Sequence, residues 1–145
     1  MKYLLDTNVL SDARRQRSAS LAAWLSTQQV GSLALSVVTL LELERGVSLA
    51  ERRDPAGGAS LRAWFHEDVQ PMFNGRILDV DTPVAIAAAR LHIPDPRPEM
   101  DALIAATALV HGLTLVTRNT KDFRINGLQV LNPWHLGQSD GGPAK

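Results

Sequence analysis

Short apolar runs that each stop at a polar residue, with helical patterning between them, restrict this chain more than any other feature. Lys2 to Leu5, Ser32 to Ser36, Arg76 to Val80, Leu113 to Thr117 and Leu128 to Leu131 read as strands. Between them, Ser18 to Gln28 carries Leu21, Trp24 and Leu25 at helical spacing, and a leucine pattern of the same period runs from Val38 to about Arg53. Asp54-Pro-Ala-Gly-Gly predicts a break, after which Leu61, Trp64, Phe65, Val69, Met72 and Phe73 form the apolar face of another helix. Asp81-Thr-Pro opens a helix through Leu91, and Glu99 to His111 is a helix closed by Gly112. Alternation of this kind predicts a three-layer α/β/α fold with a central parallel sheet, because parallel neighbours need right-handed helical crossovers that cover both faces.

A chain of 145 residues is sized for one domain. We place that domain at residues 1–135 and expect the Gly- and Ser-containing stretch 136–145 to be a disordered tail. No cysteine is present, which excludes a disulfide framework, a thiolate nucleophile and a cysteine zinc site, and fits a cytoplasmic setting. The apolar start is broken at Asp6, too early for a signal peptide, and the longest nearly apolar tract, Ala102 to Val110, falls well short of the roughly 20 residues that span a bilayer. No membrane association is expected. Fifteen basic residues balance fifteen acidic ones, so global charge does not point to nucleic acid. Twelve of those basic residues are arginine, and Arg14, Arg15 and Arg17 cluster as either a phosphate-binding patch or a solvated run.

In open α/β sheets, ligands bind beyond the carboxyl ends of the strands, so polar residues that follow the strands are the candidates for chemistry. Asp6 follows the first strand and Asp122 lies beyond the fourth, with Asn119 nearer that strand's end. Glu42 shares a helical stripe with Val38, Gly46 and Leu49. Asp101 stands in the first turn of its helix, where the dipole favours an anion. Singly, each has an ordinary explanation as a cap, a dipole partner, a turn former or a solvated acid. Together they demand a counter-charge, since two carboxylates about 4 Å apart repel by roughly 4 kcal/mol at an effective dielectric of 20. An all-oxygen acidic site suits a hard cation, Mg²⁺ or Mn²⁺, that can activate water against a phosphodiester. His66, His92, His111 and His135 are scattered without ligand spacing.

Four ordered segments carry a family likeness: Leu-Leu-Asp-Thr-Asn-Val-Leu-Ser, Ser-Val-Val-Thr-Leu-Leu-Glu-Leu, Met-Asp-Ala-Leu-Ile-Ala-Ala-Thr-Ala and Leu-Val-Thr-Arg-Asn-Thr-Lys-Asp-Phe. They resemble PIN-domain ribonuclease toxins of the VapC family, over about Lys2 to Trp134, and the ending Asn-Pro-Trp-His looks like the FitB-like subgroup. The resemblance implies a toxin of a type II toxin–antitoxin system that hydrolyses RNA, with transfer RNA a candidate substrate and Mg²⁺ or Mn²⁺ the metal. By resemblance, Asp6, Glu42 and Asp101 are catalytic and bind the metal, and the fourth position falls to Asp122 or to Asn119. Thr7, Asn8, Thr39 and Thr117 become supporting residues, although caps are their commoner role. The likeness also implies a homodimer, and a VapB-type antitoxin through which the complex binds operator DNA. Residues 93–98 depart from the pattern, being short and proline-rich where relatives continue with a longer helix, which would alter the rim of the cleft. Trp24, Trp64 and Phe65 suit either a partner groove or core packing.

Two other readings remain. A catalytically idle module of the same fold would hold antitoxin or nucleic acid without cutting, and Asn119 in place of an acid keeps that reading open. An α/β phosphatase or phosphoacceptor also places an Asp after its first strand, but this chain has Asn8 two residues on, where a phosphatase uses an acid, and Lys121 sits beside Asp122.

Overall fold

The computed structural model describes residues 1–136; most of the tail expected at 136–145 lies outside the described residues. Five strands form one parallel sheet in the order β3-β2-β1-β4-β5, with β1 Tyr3–Leu5, β2 Leu33–Ser36, β3 Ile77–Leu78, β4 Thr114–Val116 and β5 Val130–Leu131. The edge strands β3 and β5 are shorter than the apolar runs that predict them, because each pairs with its neighbour at only two residues.

Side chains that alternate along the strands supply two cores. Leu5, Leu35 and Val116 face one way, onto Val9, Leu21, Leu43, Val47, Phe65 and Phe73, whereas Leu4, Ala34 and Leu115 face the other, onto Ile104, Ala105 and Ala108. The expected α/β/α layering follows from this alternation. The first layer holds α1 Thr7–Arg15, α2 Ala19–Ser26 and much of α3 Val37–Arg53, followed by α4 Pro55–Ala63, a π-helical segment Trp64–Val69 and α5 Gln70–Met72. The second holds α7 Glu99–His111, buttressed by α6 Thr82–Leu91 through Val84, Ala88, Ala102 and Ala106.

The caps are local and chemical. Ser18 accepts from Leu21 N, Ser36 from Val38 N and Asp81 from Val84 N, each satisfying a donor that the first helical turn leaves free. Gly112 ends α7 in the left-handed region at φ 66°, where a side chain would be strained.

One expectation needs correction. Asp54-Pro-Ala-Gly-Gly turns the chain but does not keep it out of helix: Asp54 holds the N-cap position without a side-chain cap bond, Pro55 takes the first helical turn, and Gly57 and Gly58 lie inside α4. The reason is a close helix crossing, since a Cβ on Gly58 would lie 2.4 Å from Glu51 Cα of α3. A glycine required by packing therefore imitates a breaker. Across the same contact Arg62 bridges Glu44 and Glu51 of α3, at 2.5 and 2.8 Å. Trp24 packs edge-on against Tyr3 at 5.1 Å and Phe65 is buried, so both belong to the core; Trp64 is half-buried beneath Arg14.

Candidate active site

The strand order reverses at β1, whose neighbours β2 and β4 lead to opposite faces of the sheet, and this is where a parallel sheet opens a crevice at its carboxyl end. Asp6 leaves β1 at that point and caps α1, accepting from Thr7 N at 2.8 Å. Its other oxygen accepts from Thr117 Oγ1, just beyond β4, at 2.8 Å, and more distantly from Asn8 Nδ2 at 3.4 Å. Thr117 is wholly buried; while donating to Asp6 it accepts from Asn8 Nδ2 and from Asn119 N, which ties the two loops together.

Glu42 reaches the crevice from α3. Thr7 Oγ1 donates to its Oε1 at 2.5 Å and lies 3.2 Å from Thr39 Oγ1. The stripe assigned to Glu42 from helical spacing is only half right: Val38 is buried, but Gly46 and Leu49 are exposed, and the buried face of α3 runs through Thr39, Leu43 and Val47. Glu42 sits at the margin of that face, partly buried and open to the cleft. Asp101, in the first turn of α7, enters from the other layer and is half-buried.

Asp6, Glu42, Asp101 and Asn119 all line one open cleft of about 340 Å³. Asp122 lies on the short 3₁₀ turn Thr120–Phe123, exposed and set back from that lining, yet its charge acts on Asp6 and Asp101. Residues 93–98 are not among the residues lining the cleft. Thr7, Asn8, Thr39 and Thr117 all stand in the hydrogen-bonded frame behind the acids.

The electrostatics are unbalanced. Burial drives the Asp6 carboxyl above its ordinary value; the hydrogen bonds from Thr117 and Thr7 oppose that rise, and Glu42 and Asp122 add to it. Asp101 is pushed up to about 6, first by burial and then by Asp6, Asp122 and Glu42. Among the described residues none of these four acids has a salt-bridge partner. Nor are any three acids or histidines there already drawn into a ligating cluster. The donor set nonetheless fits Mg²⁺ or Mn²⁺, which take oxygen donors, often one or two carboxylates with the remainder water, and which would cancel the excess negative charge. His66 instead contacts Arg62 and Gln70, and His92 accepts from Arg97 N.

Sequence reasoning missed Asp12 and gave no role to Arg118. Asp12 lies on the cleft wall, 7% exposed, and binds Arg118 Nη1 at 2.6 Å and Arg15 Nη1 at 3.4 Å. An acid three residues after the buried Val9 and three before Arg15 was the available signal.

The PIN domain family model matches residues 3–127. Toxin FitB of Neisseria gonorrhoeae is 38% identical over 138 residues, 91% of this chain and 98% of that protein. VapC ribonuclease Y4jK of Sinorhizobium fredii is 33% identical over 141 residues, 90% of this chain and 96% of that one. A solved structure of FitAB bound to an IR36 DNA fragment contains a chain that superposes with a TM-score of 0.83 at 35% identity, over 92% of this chain and 96% of that one. Among the described residues no helix is long and apolar enough to cross a membrane. With its four motifs brought to one end of a parallel sheet and these matches running nearly its full length, the chain belongs to the PIN-domain family.

Proposed function

We propose that this protein is a metal-dependent endoribonuclease and the toxin half of a toxin–antitoxin pair. The observation that carries this reading is the set of acids, Asp6, Glu42 and Asp101 with Asp122 behind them, that meets at the sheet's switch point without a basic partner among the described residues. Ribonuclease and toxin relatives at 33–38% identity support it.

Asp6, Glu42 and Asp101 would hold Mg²⁺ or Mn²⁺, with Asn119 or Asp122 as the further oxygen donor. The ion supplies Lewis-acid activation of a water and neutralises charge on the phosphodiester. The chain's own work is orientation. Thr117 Oγ1 and Thr7 N fix the two oxygens of Asp6, and Thr7 Oγ1 fixes Glu42, so neither carboxylate has to be ordered at the moment of reaction. Asn119 lies close to the cleft floor because its own N–H is held by Thr117. The cognate partner is a VapB-type antitoxin through which a complex of toxin homodimers binds operator DNA, as FitAB does an IR36 fragment.

The test is cleavage of total RNA and a transfer-RNA pool by antitoxin-free protein with Mn²⁺ or Mg²⁺. Discrete cuts that vanish with EDTA and in Asp6→Asn are expected. Folded, metal-supplied protein that leaves every RNA intact overturns the assignment.

A further inference from the structure

The cleft has an acidic floor and a cationic wall. Arg15, from the last turn of α1, and Arg118, just after Thr117, both line it beside Asp6, Glu42 and Asp101. Neither pairs with the floor; among the described residues their carboxylate partner is Asp12. Without Asp12, two guanidinium groups on the wall of a cleft floored by Asp6, Glu42 and Asp101 would be drawn toward those carboxylates. The buried Asp12 carboxylate holds them back.

Arg118 is held at a second point. Its guanidinium lies over the Trp134 ring, 5.4 Å from the centroid, and Trp134 itself packs against the main core. The Arg118 side chain nevertheless remains 51% exposed, and among the described residues its side-chain hydrogen bonding uses Nη1 alone. A guanidinium carries five N–H donors in a fixed fork that matches phosphate oxygens. Arg118 is therefore held at two points, open on its outer side and set on the wall of a cleft whose floor suits a cation.

We propose that Arg118, positioned by Asp12 and Trp134, binds a backbone phosphate of RNA adjoining the scissile bond. This rests on the ribonuclease reading above and adds the chain's own means of placing the polyanion over an acidic floor. It also accounts for how a chain of zero net charge holds RNA: the cation needed for recognition is local and shielded from the neighbouring acids.

The experiment measures binding of a fluorescent single-stranded oligoribonucleotide to full-length, antitoxin-free protein across a salt series, in an Asp101→Asn background that prevents cleavage. Arg118→Ala is expected to weaken binding about tenfold and to lower the slope of log affinity against log salt by about 0.7, the value for one lost single-strand phosphate contact. Arg118→Gln, which retains packing on Trp134, should give the same loss, whereas Arg118→Lys should keep the slope and Arg53→Ala should change neither quantity. Parent affinity and slope in both Arg118→Ala and Arg118→Gln overturn the assignment. If the cleaving protein cuts RNA while those variants bind unchanged, this inference alone fails; if it neither binds nor cuts RNA, the ribonuclease reading falls with it.

Discussion

Thr117 and Asp6, 111 positions apart in the chain, are joined by a 2.8 Å hydrogen bond in which the buried hydroxyl donates to the carboxylate. The bond exists because β4 lies parallel to β1 in a register that pairs Val116 with Leu5, so the next residue of each strand leaves the sheet at the same level.

Thr117→Val keeps the side chain's shape and removes the donor. A hydrogen bond to a charged group contributes about 1.5–3 kcal/mol, so RNA cleavage should fall roughly ten- to a hundredfold by the rate equivalence of free energy. Thr117→Ser should retain most activity. Initial rates alongside thermal melts check this, and a Val variant cutting at the parent rate would remove Thr117 from the orientation of Asp6.

The pH response follows from Asp101, whose carboxyl lies near 6 in the folded protein against 3.8 ordinarily. Between those values the native state binds more protons than the unfolded chain, so without a cation stability is greater on the acid side and falls as pH rises through about 6. Asp6, also raised, acts in the same direction. In EDTA the melting temperature should therefore drop between pH 5 and 7.5. Asp101→Asn should shrink that drop, and Mn²⁺ should reverse it at pH 7.5. A melting temperature that rises over this interval equally in parent and Asp101→Asn contradicts the sign.

Asp12→Asn releases Arg15 and Arg118 from their shared carboxylate. Freed, they are expected to compete with a cation for the acidic floor. The Mn²⁺ concentration giving half the maximal thermal shift should rise about tenfold, equivalent to roughly 1.4 kcal/mol. An unchanged midpoint in a folded variant would show that Asp12 does not shield the floor.

Two glycines of the same helix pair should respond oppositely. Gly58→Ala places a methyl 2.4 Å from Glu51 Cα and 2.6 Å from its N, backbone atoms that cannot yield without moving α3 from α4. It should cost about 1–3 kcal/mol. Gly46→Ala meets nothing within 4 Å on an exposed helical face and should stabilise by about 0.5–1 kcal/mol. Urea unfolding of both variants decides the matter.

The strand–helix alternation, the helix start at Asp81, the glycine stop at Gly112 and the placement of acids after strands were all legible in the sequence, because they depend on periodicity and on bonds spanning a few residues. Asp6 and Asp101 stood out for the same reason. The sequence alone did not reveal that Gly58 serves a helix crossing, that Glu42 lies at the edge of a buried face, or that Asp12 and the Trp134 ring together hold Arg118. Nor could it choose Asn119 over Asp122 as the residue lining the cleft. Each of these depends on which surfaces meet when layers stack on the sheet. Local propensity carries no information about a partner dozens of residues away; only the parallel register and the crossing of α3 with α4 bring those groups within bonding distance and decide which charges remain unpaired.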